Sequence, residues 1–223
     1  MSSKISVIGA GSWGTALANL LAENGNQVKI YARDRSVVKS INSKNINCKY
    51  FPKYTLEKNL KAFNNLEKAL ENTEAVVISV PTQALKNITH KIAEFLDRDK
   101  IIVSTAKGID EETFKTNSQM IRDAGFTKVV VLSGPTHAEE VMEKLPTAIV
   151  SAAKNREAAE KVQDLFMSKY FRVYTNPDIK GVELGGALKN VIALASGICD
   201  GLNFGDNTRA ALITRALTEM SRF

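Results

Sequence analysis

Ile5-Ser6-Val7-Ile8-Gly9-Ala10-Gly11-Ser12-Trp13-Gly14-Thr15-Ala16-Leu17-Ala18-Asn19-Leu20-Leu21-Ala22 is the stretch that decides the fold. Ile5, Val7 and Ile8 read as a buried strand, the glycines as a tight turn, and residues 15–22 as a helix with apolar positions at i, i+3 and i+4. A GxGxxG pattern alone is weak, but between a strand and a helix it gains a mechanism. The first N–H groups of the helix lack intrahelical acceptors and lie at its positive dipole end. A dinucleotide pyrophosphate can settle on them, provided no side chain at Gly11 blocks the backbone. Gly9 belongs to the turn, and Gly14 lets the helix pack on the strand. Ser12 and Trp13 lie in the same turn, where Trp13 either flanks the cofactor or packs.

Outward from this unit, Gly25-Asn26 makes a turn and Val28-Lys29-Ile30-Tyr31-Ala32 alternates as a second strand. Arg33 and Asp34 follow, about 20 residues past the glycine turn, where an acidic group would hold a ribose 2′-OH and an arginine a 2′-phosphate. Arg33 comes first, which predicts NADPH in preference to NADH, with Asp34 as the alternative ribose ligand. Residues 75–80, 101–105 and 129–133 are continuous β-branched runs, as expected for strands covered on both faces. Helical stretches separate them, so the fold class is α/β, a doubly wound, mostly parallel Rossmann-type sheet. Ligands bind at the carboxyl ends of such strands. Those ends carry Pro81-Thr82-Gln83, Ala106-Lys107-Gly108 and Gly134-Pro135-Thr136-His137. Residues 147–150 and 171–174 read as two further strands around a helix over about 157–167. Past Asn176-Pro177-Asp178 the pattern is helical only. The expected division is a dinucleotide-binding domain over 1–176 and the start of an all-α domain over 177–223. The last helix, from Thr208, has no cap, so the second domain is expected to be incomplete.

The 223 residues are 44% apolar, enough for a large core. Neither a signal peptide nor a membrane-spanning run is read in the sequence, which predicts a cytoplasmic protein. Cys48 and Cys199 are far apart, in no metal or redox spacing, and read as structural thiols, with no metal site expected. The net charge of +6 comes from scattered lysines without interleaved aromatics, which fits anionic small ligands better than nucleic acid.

The second half carries the chemistry. Residues 181–193 form an apolar helix containing the pair Gly185-Gly186, each glycine costing about 1 kcal/mol against alanine, so something must approach that backbone closely. Lys189 shares a face with Val182, Gly185, Gly186 and Ala193. Small or apolar surroundings would lower its pKa and fit it to protonate a carbonyl oxygen as hydride arrives. The alternative is a lysine snorkelling to solvent. Asn190 points about 100° away and could bond a substrate hydroxyl or the nicotinamide. Lys107 could pair with an anionic substrate or with the cofactor. Gly134 and Thr136 offer a backbone N–H and a hydroxyl. His137 and His90 are weaker acid–base candidates, neither having a visible partner.

Taken together, GAGSWGTALA (9–18), Lys107-Gly108, LSGPTHAEEV (132–141) and GVELGGALKNVIALASG (181–197) resemble the bacterial NAD(P)-dependent glycerol-3-phosphate dehydrogenases, along essentially the whole chain. The resemblance implies reduction of dihydroxyacetone phosphate to sn-glycerol 3-phosphate for glycerophospholipid synthesis. NADPH, or NADH, would be held by the first domain, and the helical domain would close over the substrate. It places the proton-transfer lysine on Lys189, the second substrate lysine on Lys107, and Asn190 beside them in the catalytic set. Cofactor contacts fall on Ser12, Trp13, Arg33, Tyr50, Lys107 and Ala138, and substrate contacts on Gly134 and Thr136.

The chain departs from the family at Phe51-Pro52-Lys53, where Leu-Pro-Gly is usual. The family's substrate-phosphate arginine and an aspartate before it lie in a further helical stretch that this sequence lacks. Arg222, in Ser221-Arg222-Phe223, is read as part of the last helix and does not take the arginine's role. The chain is therefore expected to bind cofactor and to turn over weakly. An exposed apolar face on the helical segment points to a homodimer or a covering segment. The competing readings are a related β-hydroxyacid or sugar-acid dehydrogenase and a non-catalytic dinucleotide-binding module.

Overall fold

A computed structural model describes residues 2–222. In chain order it contains β1 (Lys4–Ile8), α1 (Ser12–Glu23), β2 (Gln27–Tyr31), α2 (Arg35–Lys44), β3 (Leu60–Phe63), α3 (Leu66–Leu70), β4 (Ala75–Ile78), α4 (Thr82–Ala93), β5 (Ile101–Ser104) and α5 (Asn117–Asp123). There follow β6 (Lys128–Ser133), α6 (Ala138–Met142), β7 (Thr147–Ala152), α7 (Arg156–Phe166), β8 (Phe171–Asn176), α8 (Ile179–Gly201) and α9 (Gly205–Met220). The strands form one sheet in the order β3-β2-β1-β4-β5-β6-β7-β8. All neighbours are parallel except β6 and β7. The chain leaves β1 towards β2 and β3, then crosses back to place β4 on the other side of β1. That reversal of winding opens a crevice between the carboxyl ends of β1 and β4.

The doubly wound sheet read from the sequence is thus present. Every residue of β4 and β5 is buried, as are the apolar residues of β1, because helices cover both faces. One core cluster joins α1, α6 and α7 to one face of the sheet, and a second joins α4 and α5 to the other.

Several boundaries differ from the expectation. Strand pairing stops at Tyr31, Ile78 and Ser104, earlier than the apolar runs, because the chain leaves the sheet there to form the loops at its carboxyl edge. Strand β3 was not foreseen: Leu60-Lys61-Ala62-Phe63 is a short edge strand without a β-branched residue. Strands β7 and β8 each run two residues further than read, and β7 turns back along β6. Helix α9 starts at Gly205, ahead of Thr208. Ser221 caps α9, so Arg222 lies past the helix end, where it pairs with Glu219; Phe223 falls outside the described residues. Cys48 is exposed and Cys199 half-buried, both free, so Cys48 is not the packed thiol expected.

By length and composition alone, helix α8 is long and apolar enough to cross a membrane, a run not read in the sequence. Val191, Leu194 and Ile198 are exposed on it, and Ile213 and Leu217 on α9.

The far end of α1 is tied into the second half of the sheet. Asn24 Nδ2 donates to the carbonyls of Leu165 and Met167, at 2.9 and 3.2 Å. Glu23 accepts from Lys144 Nζ at 2.7 Å and from the Tyr170 hydroxyl at 3.0 Å. Burial and the neighbouring Glu23 carboxylate push the Tyr170 phenol upward.

Candidate functional site

The glycine turn is built by contact. Gly9 has φ +114°, and a Cβ there would lie 2.3 Å from the Ser79 carbonyl oxygen. At Gly14 a Cβ would lie 2.0 Å from the Gly9 carbonyl oxygen, which is why α1 can begin so close to β1. Gly11 is different: no heavy atom lies within 4 Å of a Cβ built there, so its bare backbone faces open space. Gly11 is the N-cap of α1, with no side-chain cap and no acidic residue in the first turn. The amides of Ser12, Trp13 and Gly14 therefore open on the crevice beside β4 without a side-chain acceptor. Trp13 is half-buried and packs on the core.

Asn47 holds this turn in place. Its side chain donates to Ala10 O (3.1 Å) and Thr15 Oγ1 (2.8 Å), and accepts from the amides of Lys49 and Tyr50, each at 3.2 Å. Sequence reading passed over Asn47, since nothing in a loop asparagine announces burial. Its bonds bring the Tyr50 loop to the glycine turn. Tyr50 itself is 45% exposed, with Lys49 over its ring. At the end of β2, Arg33 is exposed. Asp34 is committed elsewhere: it caps α2, its Oδ1 accepting from Ser36 N (2.8 Å) and Ser36 Oγ (2.7 Å). Those bonds hold the Asp34 carboxyl below its usual range.

Across the crevice, the loop after β5 presents Lys107. Gly108 has φ +138° and packs against Thr82, the first residue of α4. Asn117 donates to the carbonyls on both sides of Lys107, Ala106 at 2.9 Å and Gly108 at 3.3 Å. Lys107 Nζ donates to Gly134 O at 3.0 Å. Burial first, and then the nearby Lys189 ammonium, push the Lys107 amine below its usual range. Gly134 owes its lack of side chain to β7, since a Cβ would meet Ala148 O at 2.9 Å. Ala138 is buried at the start of α6, whereas His137 and His90 are exposed.

Helix α8 completes the group. Asp178 caps it through Gly181 N at 2.9 Å. Of the two glycines, Gly186 is the one needed for close approach: a Cβ there would lie 2.9 Å from Ser133 Oγ and 3.7 Å from Lys107 Cγ. At Gly185 the nearest atom is Met220 Cε at 3.8 Å. One turn on, Lys189 is half-buried, and its Nζ donates to Asn190 Oδ1 at 3.2 Å. Lys189 is thus not walled in by small and apolar groups alone, and Asn190 is its partner instead of pointing away.

Lys107, Gly134, Gly186 and Lys189 therefore meet at the carboxyl ends of β5 and β6, while Gly9, Gly11, Ser12 and Gly14 lie at that of β1. Among the described residues, four buried side-chain atoms have no hydrogen-bond partner: Thr82 Oγ1, Ser104 Oγ, Asn117 Oδ1 and Thr136 Oγ1. All lie at this same edge of the sheet, where a ligand or water would satisfy them. Together with the open Gly11 face and the uncapped α1 amides, they fit a bound dinucleotide.

Comparison with known proteins agrees with this geometry. The family model for the NAD-dependent glycerol-3-phosphate dehydrogenase N-terminus matches residues 4–159, and that for the C-terminus matches 178–223. The chain is 54% identical over 222 residues to glycerol-3-phosphate dehydrogenase [NAD(P)+] of Halothermothrix orenii, covering 100% of this chain and 65% of that protein. It is 53% identical to the enzyme of that name from Clostridium botulinum, covering 99% and 67%. The crystal structure of glycerol-3-phosphate dehydrogenase from Coxiella burnetii superposes with a TM-score of 0.91 at 36% identity, covering 99% of this chain and 68% of that one. The chain thus spans about two thirds of the length of the proteins it matches.

Proposed function

The chain belongs to the NAD-dependent glycerol-3-phosphate dehydrogenase family, and on that premise we propose that it serves the reduction of dihydroxyacetone phosphate to sn-glycerol 3-phosphate. The observation that carries this reading is the pairing of two lysines, Lys107 and Lys189, at the carboxyl edge of a sheet whose first helix offers uncapped amides. A phosphorylated ketone is an anion with one polarisable carbonyl, and two ammonium groups suit both features.

When bound, the dinucleotide supplies the hydride. Gly9, Gly11, Ser12, Trp13 and Gly14 would hold its pyrophosphate through the uncapped amides of α1, with Tyr50 as a further contact from its loop. Arg33 would bind a 2′-phosphate, since Asp34 is already engaged by Ser36. NADPH is thereby preferred to NADH, and Ala138 closes the site from α6. Lys189 donates a proton from Nζ to the carbonyl oxygen of the substrate and recovers it in the reverse direction. Asn190 holds that ammonium through Oδ1. Lys107 stabilises negative charge on the substrate, and Gly134 and Thr136 contact it, Thr136 with its unpartnered hydroxyl.

Residues 1–176 then form the dinucleotide-binding domain and 177–223 the beginning of the substrate domain. The sn-glycerol 3-phosphate formed enters glycerophospholipid synthesis in the cytoplasm. A homodimer through α8 and α9 is supported by the exposed Val191, Leu194, Ile198 and Leu217.

The test is NADPH oxidation followed at 340 nm with dihydroxyacetone phosphate, in this chain and in one extended to the length of its relatives, each beside its Lys189→Ala variant. Substrate-dependent oxidation that falls by about 10²- to 10⁴-fold in the variant is expected. Saturable NADPH binding without oxidation by the extended form would leave a dinucleotide-binding module with another substrate or none, which a panel of β-hydroxyacids and sugar acids would distinguish.

A further inference from the structure

Glu183 lies in the middle of an apolar helical run and is 6% exposed. A carboxylate is retained there only if its oxygens are bonded, since burial of an unpaired charge costs several kcal/mol. Both oxygens are bonded, and to a single residue. Oε1 accepts from Ser118 N and Oε2 from Ser118 Oγ, each at 2.7 Å, across a separation of 65 residues. Ser118 is the second residue of α5, and Asn117, the first, grips the carbonyls on both sides of Lys107. Three residues beyond Glu183, on the same face of α8, Gly186 lies against the Lys107 stem, and a further turn brings Lys189.

From this chain of contacts we infer that Glu183 is a positioning residue, which through Ser118 and Asn117 fixes the loop carrying Lys107 against the helix carrying Lys189. Capping alone does not account for it. Helix α5 has only seven residues, and Gln119 already reaches back to Thr116 N at 2.9 Å. What Glu183 adds is a link between two elements 65 residues apart in the chain. Arg122 Nη1 stands 3.4 Å from Ser118 Oγ and offers a cation on the α5 side, while the charged group facing Lys107 from α8 is Lys189. The site's function rests on the reading proposed above; the positioning does not.

The experiment measures pH-dependent amine labelling of Lys107 by mass spectrometry in the 223-residue chain, for wild type, Glu183→Ala and Glu183→Gln. Loss of the link lets the loop and α8 separate, relieves Lys107 of burial and of its like-charged neighbour, and moves its titration upward. The pH midpoint of Lys107 labelling in Glu183→Ala, read from the full rate-against-pH profile so that a change in access scales the curve without moving it, is then expected to shift upward from wild type. Glu183→Gln keeps the shape and an acceptor for Ser118 N, and is expected to label as wild type. If Glu183→Ala does not fold, Ser118→Ala, which removes the hydroxyl bond alone, takes its place with the same readings.

An unchanged Lys107 profile in the alanine variant would overturn the inference. So would an equal change in the glutamine variant, because the effect would then be one of charge and not of position. Where oxidation is measurable, kcat/KM for dihydroxyacetone phosphate should fall by about ten- to hundredfold in Glu183→Ala and recover in Glu183→Gln. Wild-type chain that labels as expected but shows no such oxidation in either length would sink the dehydrogenase reading and leave the positioning role standing.

Discussion

Substitution of alanine at the three glycines of the turn separates what each does. At Gly11 the backbone has φ −69° and ψ −176°, which alanine adopts readily, and its Cβ would meet nothing within 4 Å. Reduced freedom of the unfolded chain favours the variant by about 0.4–1 kcal/mol, while alanine is a poorer N-cap by a similar amount. The stability of Gly11→Ala should therefore stay within about 1 kcal/mol of wild type. Gly14→Ala lies inside the helix, where propensity favours alanine by about 1 kcal/mol. Yet its Cβ would lie 2.0 Å from the Gly9 carbonyl oxygen, a backbone atom that cannot move without opening the turn. Overpacking of this kind costs about 1–3 kcal/mol, and contact this short belongs at the upper end, so the net effect is destabilisation by about 2 kcal/mol. Gly9→Ala adds a strained φ of +114° to a 2.3 Å contact and should be worse still.

The assays are urea unfolding and NADPH fluorescence titration. Gly11→Ala should unfold as wild type but bind NADPH about 5- to 150-fold more weakly, the equivalent of 1–3 kcal/mol from a methyl intruding on the pyrophosphate. Wild-type affinity in a folded Gly11→Ala protein would refute the placement of the dinucleotide at the amino end of α1.

Arg33→Ala should weaken NADPH by about 10- to 150-fold, one charge-assisted contact of 1.5–3 kcal/mol, and leave NADH unchanged; equal loss for both would return the ribose to Asp34. Asn47→Ala removes bonds to Ala10 and Thr15 from a residue with no exposed surface, and should cost about 2–4 kcal/mol in urea unfolding, with a loss under 0.5 arguing against its anchoring role. The folded-state pKa of Lys107 lies below its ordinary 10.5, so its charge opposes folding at neutral pH, and that penalty disappears as pH rises through the folded value towards 10.5. The stability of Lys107→Met relative to wild type should therefore be greatest near pH 7 and decline by pH 10; a flat difference between those limits would contradict the burial of the ammonium.

The central strands were legible because burial on both faces forces β-branched runs, as in residues 75–78 and 101–104, and no helix covering one face produces the same pattern. The reversal of β7 was not, since the 13 residues between β6 and β7 contain a short helix instead of a hairpin turn. β3 escaped because an edge strand needs only two inward residues, Leu60 and Ala62. In the site, glycines and lysines could be read because their chemistry is conspicuous in an apolar context. Asn47, Asn117 and Ser118 could not, because each acts on a backbone group brought near by tertiary packing. Glu183 did leave a trace, as the only carboxylate in the mostly apolar stretch 181–197, three residues before the glycine that admits Lys107.

The ties at the far end of α1 have a mechanical consequence. The helix whose amino end is proposed to hold the pyrophosphate is pinned at its carboxyl end by Asn24 to Leu165 and Met167, and by Glu23 to Lys144 and Tyr170. It acts as a strut between the glycine turn and the β7–β8 margin, unable to slide along its axis unless those bonds break. Ligand at a hundred times its dissociation constant stabilises the bound state by about 2.7 kcal/mol. Part of that protection must reach α7 and β8, so amides there should exchange more slowly with solvent deuterium when the cofactor site at the opposite end of the helix is filled.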